Sequence, residues 1–383
     1  MKPPCKADIH LVLISDQVLP NITPILDDRF KPKQVILLVS EDKQKQADQL
    51  EKIYRPRGIQ VVRWSLDSPW DIELIRDEVM DLMDKYENKA IALNATCGTK
   101  PMSIAASEVF RSLNKAIFYI HPEKDRLVWL YPDSKSGADL ANKIKLKEYL
   151  IAHGADEVKV GHTSGVKPAI RELTETLIGN IKDYSSALST LNYLAGMAVE
   201  RRLRSPEIGK DKKGDYKFWR LIDHFQQAGL LRIDNNQLLF PDEEARFMVN
   251  GGWLEMYVYA CCLNLKNKLA IQDVARSIEI TRKRGKEEIM NEIDIGLLHN
   301  NRLYLLECKT KKYKYDEGSE VLYKLDSLRE HIGGIQARTM LISVNRLKKH
   351  NINRAKELKI NYCMNTDLKN LQHIIKKWLE NSR

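Results

Sequence analysis

The sequence predicts an α/β protein: a doubly wound sheet over residues 1–150, a helical middle over 151–250 and a second sheet domain over 251–383. Three observations carry this. Five apolar runs alternate with amphipathic stretches in the first part, as parallel strands covered on both faces by helices do. Helix-like segments dominate the middle. Two long apolar runs around the turn His299-Asn300-Asn301-Arg302 form a hairpin in the last part.

In the first part the predicted strands are Ile9–Ile14, Gln34–Val39, Gln60–Trp64, Ala90–Ala95 and Ala116–Ile120, with helices near 42–56, 70–86 and 100–113. Leu127–Tyr131 adds a strand beside the fifth. Such a Rossmann-like sheet binds ligands at the carboxyl ends of its strands. Three polar loops fall there. The first carries Ser15, Asp16, Gln17 and Asn21, and the second Ser40. The third, Asn94–Met102, carries Thr96, Gly98, Thr99, Lys100 and Met102 at a strand-to-helix junction. A helix N-terminus there offers free N–H groups to phosphate, Gly98 lets the backbone approach closely, and Lys100 adds charge. Thr96 and Thr99 serve equally well as helix caps. Neither G-x-G-x-x-G after the first strand nor G-x-x-x-x-G-K-[ST] is present, so dinucleotide and P-loop chemistry lack support.

Ser15-Asp16-Gln17 and Thr96-Cys97-Gly98-Thr99-Lys100 together resemble a CARF domain, the sensor module of type III CRISPR systems. The family's usual loop is Gly-Gly-Thr-Lys; Cys97 stands here for its first glycine. The resemblance implies a homodimer that binds cyclic oligoadenylate, cyclic tetra-adenylate above all, across its two-fold axis. The three loops are then the ligand-binding set.

The middle starts with a polar, Gly-containing linker or exposed ribbon over 155–165. Helices follow at Lys167–Ile181, Ser185–Leu203 and Tyr216–Ala228, with a charged loop over 205–214 and a hairpin around Asp234-Asn235-Asn236. This order is winged-helix-like. It reads as a spacer or as a DNA-binding unit; Lys217, Arg220 and His224 make its candidate recognition helix only modestly basic.

The last part carries the chemistry. Its hairpin strands are Ile289–Leu298 and Leu303–Lys309, following a strand at Asp273–Thr281. Residues two apart on a strand share a face, so Glu307 aligns with Lys309 and Glu292 with Asp294. Carboxylates suit Mg2+ or Mn2+, and a lysine beside such an ion can hold a water for phosphodiester hydrolysis. A solvated strand edge is the alternative, but the run Leu303–Leu306 looks buried, and buried charges have partners. Asp294, then Glu307-Cys308-Lys309, resembles the PD-(D/E)xK nuclease superfamily. That resemblance implies an αβββαβ core with Asp294 and Glu307 on the metal, the Cys308 carbonyl facing it, Lys309 catalytic, and a helical Glu upstream. Glu255 fits that last place, or interacts as a helix-start carboxylate with the helix dipole. Glu292 competes with Asp294 or contacts substrate.

The net charge of +10 and pI near 9.1 suit a polyanionic partner, and Arg282, Lys283, Arg284, Lys286, Lys311, Lys312 and Lys314 gather near the carboxylates in sequence. No periodic aromatic platform of the single-strand-binding type is visible, though Tyr304, Tyr313 and Tyr315 are available. No run nears the roughly twenty apolar residues of a membrane helix, no signal-peptide core opens the chain, and the six cysteines lack C-x-x-C spacing. A cytoplasmic protein with DNA, RNA or both as substrate is expected. The alternative is a ligand-responsive DNA-binding regulator with an inert nuclease fold.

Overall fold

The computed structural model describes residues 7–121, 124–140, 143–199, 202–285, 287–313, 317–334 and 336–381, with His162 and Arg284 described in their backbone only. Cys5, Lys286, Lys314 and Tyr315 lie outside these. The described residues fall into two compact units, drawn from 1–158 with 280–290 and from 159–279 with 291–383.

The first unit runs β1 (Ile9–Leu13), α1 (Leu19–Ile22), β2 (Gln34–Ser40), α2 (Gln44–Tyr54), β3 (Gln60–Leu66), α3 (Ile72–Lys85), β4 (Ile91–Asn94), α4 (Lys100–Ser112), β5 (Ala116–His121), β6 (Arg126–Tyr131), β7 (Ala138–Asp139) and α5 (Leu146–Ala152). Its sheet has the order β3-β2-β1-β4-β5-β6-β7. The first five strands are parallel and β6 returns antiparallel to β5. The order doubles back at β1, so the loops after β1 and β4 flank a switch point, where ligands of open α/β sheets bind. Leu11, Leu13, Ile36 and Leu38 share one apolar cluster with Val79 of α3 and Ala105 and Val109 of α4, while α2 packs on β2 and β3. His10, 4% exposed, is enclosed with its ring 5.0 Å from that of Phe118.

The second sheet has the order β16-β15-β14-β13-β12-β8. Its strands are β8 (Glu157–His162), β12 (Asp273–Arg284), β13 (Glu287–His299), β14 (Arg302–Lys309), β15 (Arg338–Ser343) and β16 (Asn361–Met364). The helices are α6 (Pro168–Gly179), α7 (Ile181–Met197), α8 (Tyr216–Gln227), α9 (Glu243–Phe247), α10 (Trp253–Lys266), α11 (Glu317–Ile332), α12 (Lys349–Glu357) and α13 (Leu371–Glu380). A small sheet, ordered β10-β11-β9, comprises β9 (Arg204–Glu207), β10 (Arg232–Asp234) and β11 (Gln237–Leu239). From α10 through β12, β13, β14, α11 and β15 the chain has the αβββαβ order the resemblance implied.

The middle helices are packed, not merely strung between domains. Phe218, Leu221, Ile222 and Phe225 line one face of α8, the spacing of a core-facing helical stripe. They share one cluster with Leu188 and Leu191 of α7, Trp253 and Val258 of α10, Leu306 of β14 and Ile375 of α13.

The structure differs from the sequence expectation at short or polar elements. Residues 157–162, read as a linker or an exposed ribbon, form an edge strand, and 204–207 pair with β11 although the stretch reads as a charged loop. Helix α12 is mostly polar, burying only Asn351 and Ala355, so its apolar stripe is too thin to read. The five described cysteines are free and buried. No helix among the described residues is long and apolar enough to cross a membrane.

Candidate active site and ligand loops

The hairpin β13–β14 builds the acidic site. Its antiparallel register pairs Ile295 with Leu306, and one further step sets Asp294 across from Glu307. The Cys308 N–H donates to Asp294 Oδ2 at 2.6 Å, locking this end of the ladder. Glu307 is 1% exposed. A carboxylate this deep requires partners, and it has two: Lys309 Nζ lies 2.7 Å from Oε1, and Lys324 Nζ lies 2.9 and 3.1 Å from its two oxygens.

The acidic side chains strain against one another. Burial, and then the charge of Glu307, push the Asp294 carboxyl up to about 7, against the pull of Lys309, the Cys308 N–H and Lys324. Burial, Asp294 and Glu292 raise Glu255 on α10 to about 9, with Arg276 opposing. Glu255 Oε2 is buried with no hydrogen-bond partner. Burial disfavours the Lys309 ammonium, but Glu307 and Asp294 outweigh it and hold its proton well above the usual lysine range. The Cys308 thiol is buried, which raises it far above the thiol range and leaves it inert. Glu292 is exposed on the same strand as buried Asp294.

Among the described residues, no three His, Cys, Asp or Glu side chains stand ready as a metal cage; ammonium groups engage both oxygens of Glu307. The donor chemistry nevertheless fits a hard divalent cation. Mutually repelling carboxylates and the orphaned Oε2 of Glu255 are what such an ion relieves.

Three contributors escaped the sequence reading. Lys324 sits on α11, whose polar face gave no sign that one lysine points inward. Arg276, 8% exposed on β12, offsets Glu255. Thr310 follows Lys309; its hydroxyl donates to the Asn192 side-chain oxygen at 3.0 Å, with the Asn192 amide nitrogen turned to Val249 O and Leu188 O, and its carbonyl accepts from Asn345 Nδ2 at 3.1 Å. It also faces Gly251, at φ +122°, where a Cβ would stand 2.2 Å from Thr310 Oγ1; only glycine fits that approach. By contrast Tyr304 is no stacking platform, being buried edge-on against Trp378 at 4.9 Å. Lys311 and Lys312 are exposed in the second unit, while Arg282 and Lys283 belong to the first.

The loops of the first unit are held by bonds within and between them. Thr99 caps α4, its Oγ1 accepting from Met102 N at 3.2 Å and donating to Pro69 O at 2.5 Å. Gly98 has φ +81°, and a Cβ there would lie 2.8 Å from Leu13 Cβ. Cys97 Sγ donates to Gln17 O at 2.9 Å, joining the β4 loop to the β1 loop. Thr96 Oγ1 donates to Asn94 Oδ1 at 2.6 Å and accepts from Ile120 N at 2.8 Å. Asn21 is buried, bonded to Leu13 O and Asn94, and Met102 is a core residue. Ser40 is buried and donates to Asp42. Ser15 Oγ accepts from Gln17 N at 3.2 Å. Asp16, Gln17 and Lys100 are exposed, with Asp16 paired to Lys43 and Gln46. The loops therefore gather Ser15, Gln17, Thr96, Gly98, Thr99 and Lys100 at one sheet edge. Asn21 and Met102 support that edge from below.

Residues 9–149 match the Card1 CARF domain and residues 242–382 match the Card1-like endonuclease domain, nearly three quarters of the chain together. The chain carries both domains of a Card1-like protein. Among solved structures, protein VC1899 from Vibrio cholerae is similar at 28% identity and TM-score 0.86, with 98% of each chain covered. Can2 from Sulfobacillus thermosulfidooxidans, in complex with cyclic tetra-adenylate, shares the fold at 24% identity and TM-score 0.75, covering 97% of this chain and 99% of that one. A type III CRISPR defence DNA nuclease activated by cyclic oligoadenylate matches at 20% identity and TM-score 0.55, over 89% of this chain and 46% of that one. No curated protein matches the sequence. The CARF domain and the endonuclease domain come in the order the two motifs suggested.

Proposed function

We propose that this Card1-like protein is a divalent-metal-dependent endonuclease acting on DNA, RNA or both, activated by cyclic tetra-adenylate in type III CRISPR antiviral defence. In this reading residues 1–150 sense the ring, 151–250 connect and 251–383 cleave. The observation that carries it is Glu307, buried to 1% yet held between Lys309 and Lys324 beside Asp294. Burying charge costs free energy, and functional sites are where such perturbed, paired carboxylates cluster.

Asp294, Glu307 and the Cys308 carbonyl would hold Mg2+ or Mn2+, with Glu255 assisting and Glu292 beside the substrate. The ion would supply Lewis acidity to the scissile phosphate and a more acidic bound water. Lys309 orients the attacking water with its ammonium. Lys324 fixes the rotamer of Glu307, and the Cys308 N–H fixes that of Asp294. Thr310, clamped by α7 and Asn345, sets the direction in which β14 delivers Lys309.

Ser15, Asp16, Gln17, Ser40, Thr96, Gly98, Thr99 and Lys100 form the ring pocket, with Asn21 and Met102 beneath. Two copies of these loops about a two-fold axis match a ring of four phosphates. Exposed Ile104 on α4 (51%) and Met80 on α3 (39%) give a homodimer an apolar contact. Ring binding then shifts dimers toward a cleaving arrangement. The regulator reading has less support, because the apolar stripe of α8 faces the core and Lys217 is paired with Asp183 at 2.7 Å.

The test is cleavage of single- and double-stranded DNA and RNA, with cyclic tetra- or hexa-adenylate, in Mg2+ and in Mn2+. Ring-dependent cleavage by the wild type and none by Glu307→Ala is expected. Full activity in Glu307→Ala, or indifference to every ring, overturns the reading.

A further inference from the structure

Trp70 is 71% exposed, the most exposed large apolar side chain of the first unit. The other tryptophans there are engaged. Trp64 Nε1 donates to Glu78 at 2.8 Å with Lys85 over its ring, and Trp129 packs on Phe118 at 5.9 Å. An indole left in water forfeits a large burial energy, so its place matters. Trp70 follows β3 and precedes α3, at the same carboxyl edge of the sheet as the loops after β1, β2 and β4.

Its loop backbone is also held by hydrogen bonds. Ser68 Oγ accepts from Trp70 N at 3.4 Å and from Asp71 N at 3.3 Å. Asp71 caps α3 through Glu73 N and Leu74 N. The neighbouring Pro69 carbonyl accepts the Thr99 hydroxyl at 2.5 Å. The indole is thus attached one residue away from a bond to the Gly98-Thr99-Lys100 turn. Fixing the loop backbone beforehand lowers the ordering cost of binding.

A planar, exposed aromatic face on a held loop beside a phosphate-type turn is the equipment for a nucleotide, with the base stacked and its phosphate at the turn. Resting on the functional reading above, we propose that Trp70 is a stacking platform for an adenine base of the cyclic oligoadenylate. The turn takes charge from the phosphates, and Trp70 favours rings that present a base at this edge.

The experiment uses the full-length protein and cyclic tetra-adenylate in calorimetric titration, with Trp70→Ala and Trp70→Phe. Trp70→Ala should bind roughly tenfold to a hundredfold more weakly, the range of one lost base stack. Trp70→Phe keeps a ring and should bind nearly as the wild type. Tryptophan emission of the wild type should be quenched by the ring, and Trp70→Phe should lose that quench while still binding. Wild-type affinity in Trp70→Ala, or an undiminished quench in Trp70→Phe, overturns the proposal. So does loss of a ligand-free dimer in Trp70→Ala by sedimentation, which makes Trp70 a subunit contact. If the wild type binds no ring at all, the functional reading itself fails.

Discussion

In the ligand loops, polar side chains turn to the backbone. Thr99 caps a helix and bonds Pro69 O, Thr96 bonds Ile120 N, and Cys97 bonds Gln17 O. In the acidic site, charge faces charge: Glu307 holds two ammoniums while Asp294 and Glu255 sit within a shared repulsion. The loops are shaped mainly by neutral bonds to backbone, with Asp16 on Lys43 the charged exception, and stand preformed. The acidic site is a balance of opposed charges, which one substitution or one bound cation tips. Substitutions in the two regions should therefore fail differently, the first by loosening shape and the second by unbalancing charge.

The largest expected effect tests the charge balance. Lys309→Met removes the ammonium 2.7 Å from Glu307 and the proposed water-orienting group. Ring-stimulated cleavage should fall about a thousandfold, the scale of a lost transition-state charge contact. Single-turnover rates measure it. Loss of less than about tenfold would move the catalytic role away from Lys309.

The next effect lies in the first unit, at a histidine whose titration burial governs. Enclosure lowers His10 from 6.5 to about 3. The folded state thus holds this imidazole neutral, while the unfolded chain protonates it near 6.5. The resulting stability is complete above pH 6.5 and is lost as pH falls toward 3. By pH 5 the loss reaches about 2 kcal/mol. His153, lowered to about 4 by burial, acts in the same direction. Denaturant melts from pH 7 to 5 should show the first unit weakening, and His10→Phe should flatten that slope. A wild-type midpoint independent of pH would contradict the neutral, enclosed histidine.

Lys324→Met is the sharper probe of the acidic site. Glu307 keeps Lys309 and loses only its second partner, so cleavage should drop about tenfold with substrate affinity little changed, the pattern of an interaction made in the transition state. A thousandfold drop would promote Lys324 to the rank of Lys309 and place a second cation at the reacting phosphate.

Much of this was legible because the signals were periodic or punctuated. The strands β1 to β5 are continuous apolar runs, and β13 and β14 flank an Asn-Asn turn whose residues both take positive φ. Parity alone set Glu307 with Lys309. What stayed hidden depended on tertiary approach. Lys324 is one lysine on a polar helix face, distinguishable only once α11 lies against β14. Glu255 announced itself as the single charge on an apolar helix, but Arg276 had no such contrast. Strand β8 lacks an apolar run because it forms a sheet edge, and its Gly161 would place a Cβ 2.5 Å from Ser277 O, a close approach no local pattern encodes. The winged order of the middle was visible; its sharing of one core with β14 and α13 was not.

The smallest effect separates shape from charge most cleanly. Cys97 stands where the family pattern has glycine, and its thiol is buried and raised to about 12 by that burial, so no reactivity recommends it. Its Sγ instead bridges the loops after β4 and β1 by bonding Gln17 O. Cys97→Gly restores the family residue, removes that bridge and frees the backbone. The first unit should lose about 1 kcal/mol in denaturant melts. Ring affinity should change less than about threefold, because Gly98, Thr99 and Lys100 keep their own bonds. If stability holds while ring affinity collapses, the bridge presents Gln17 to the ligand and is not structural. The loops would then be tuned for binding at the position where this chain departs from its family.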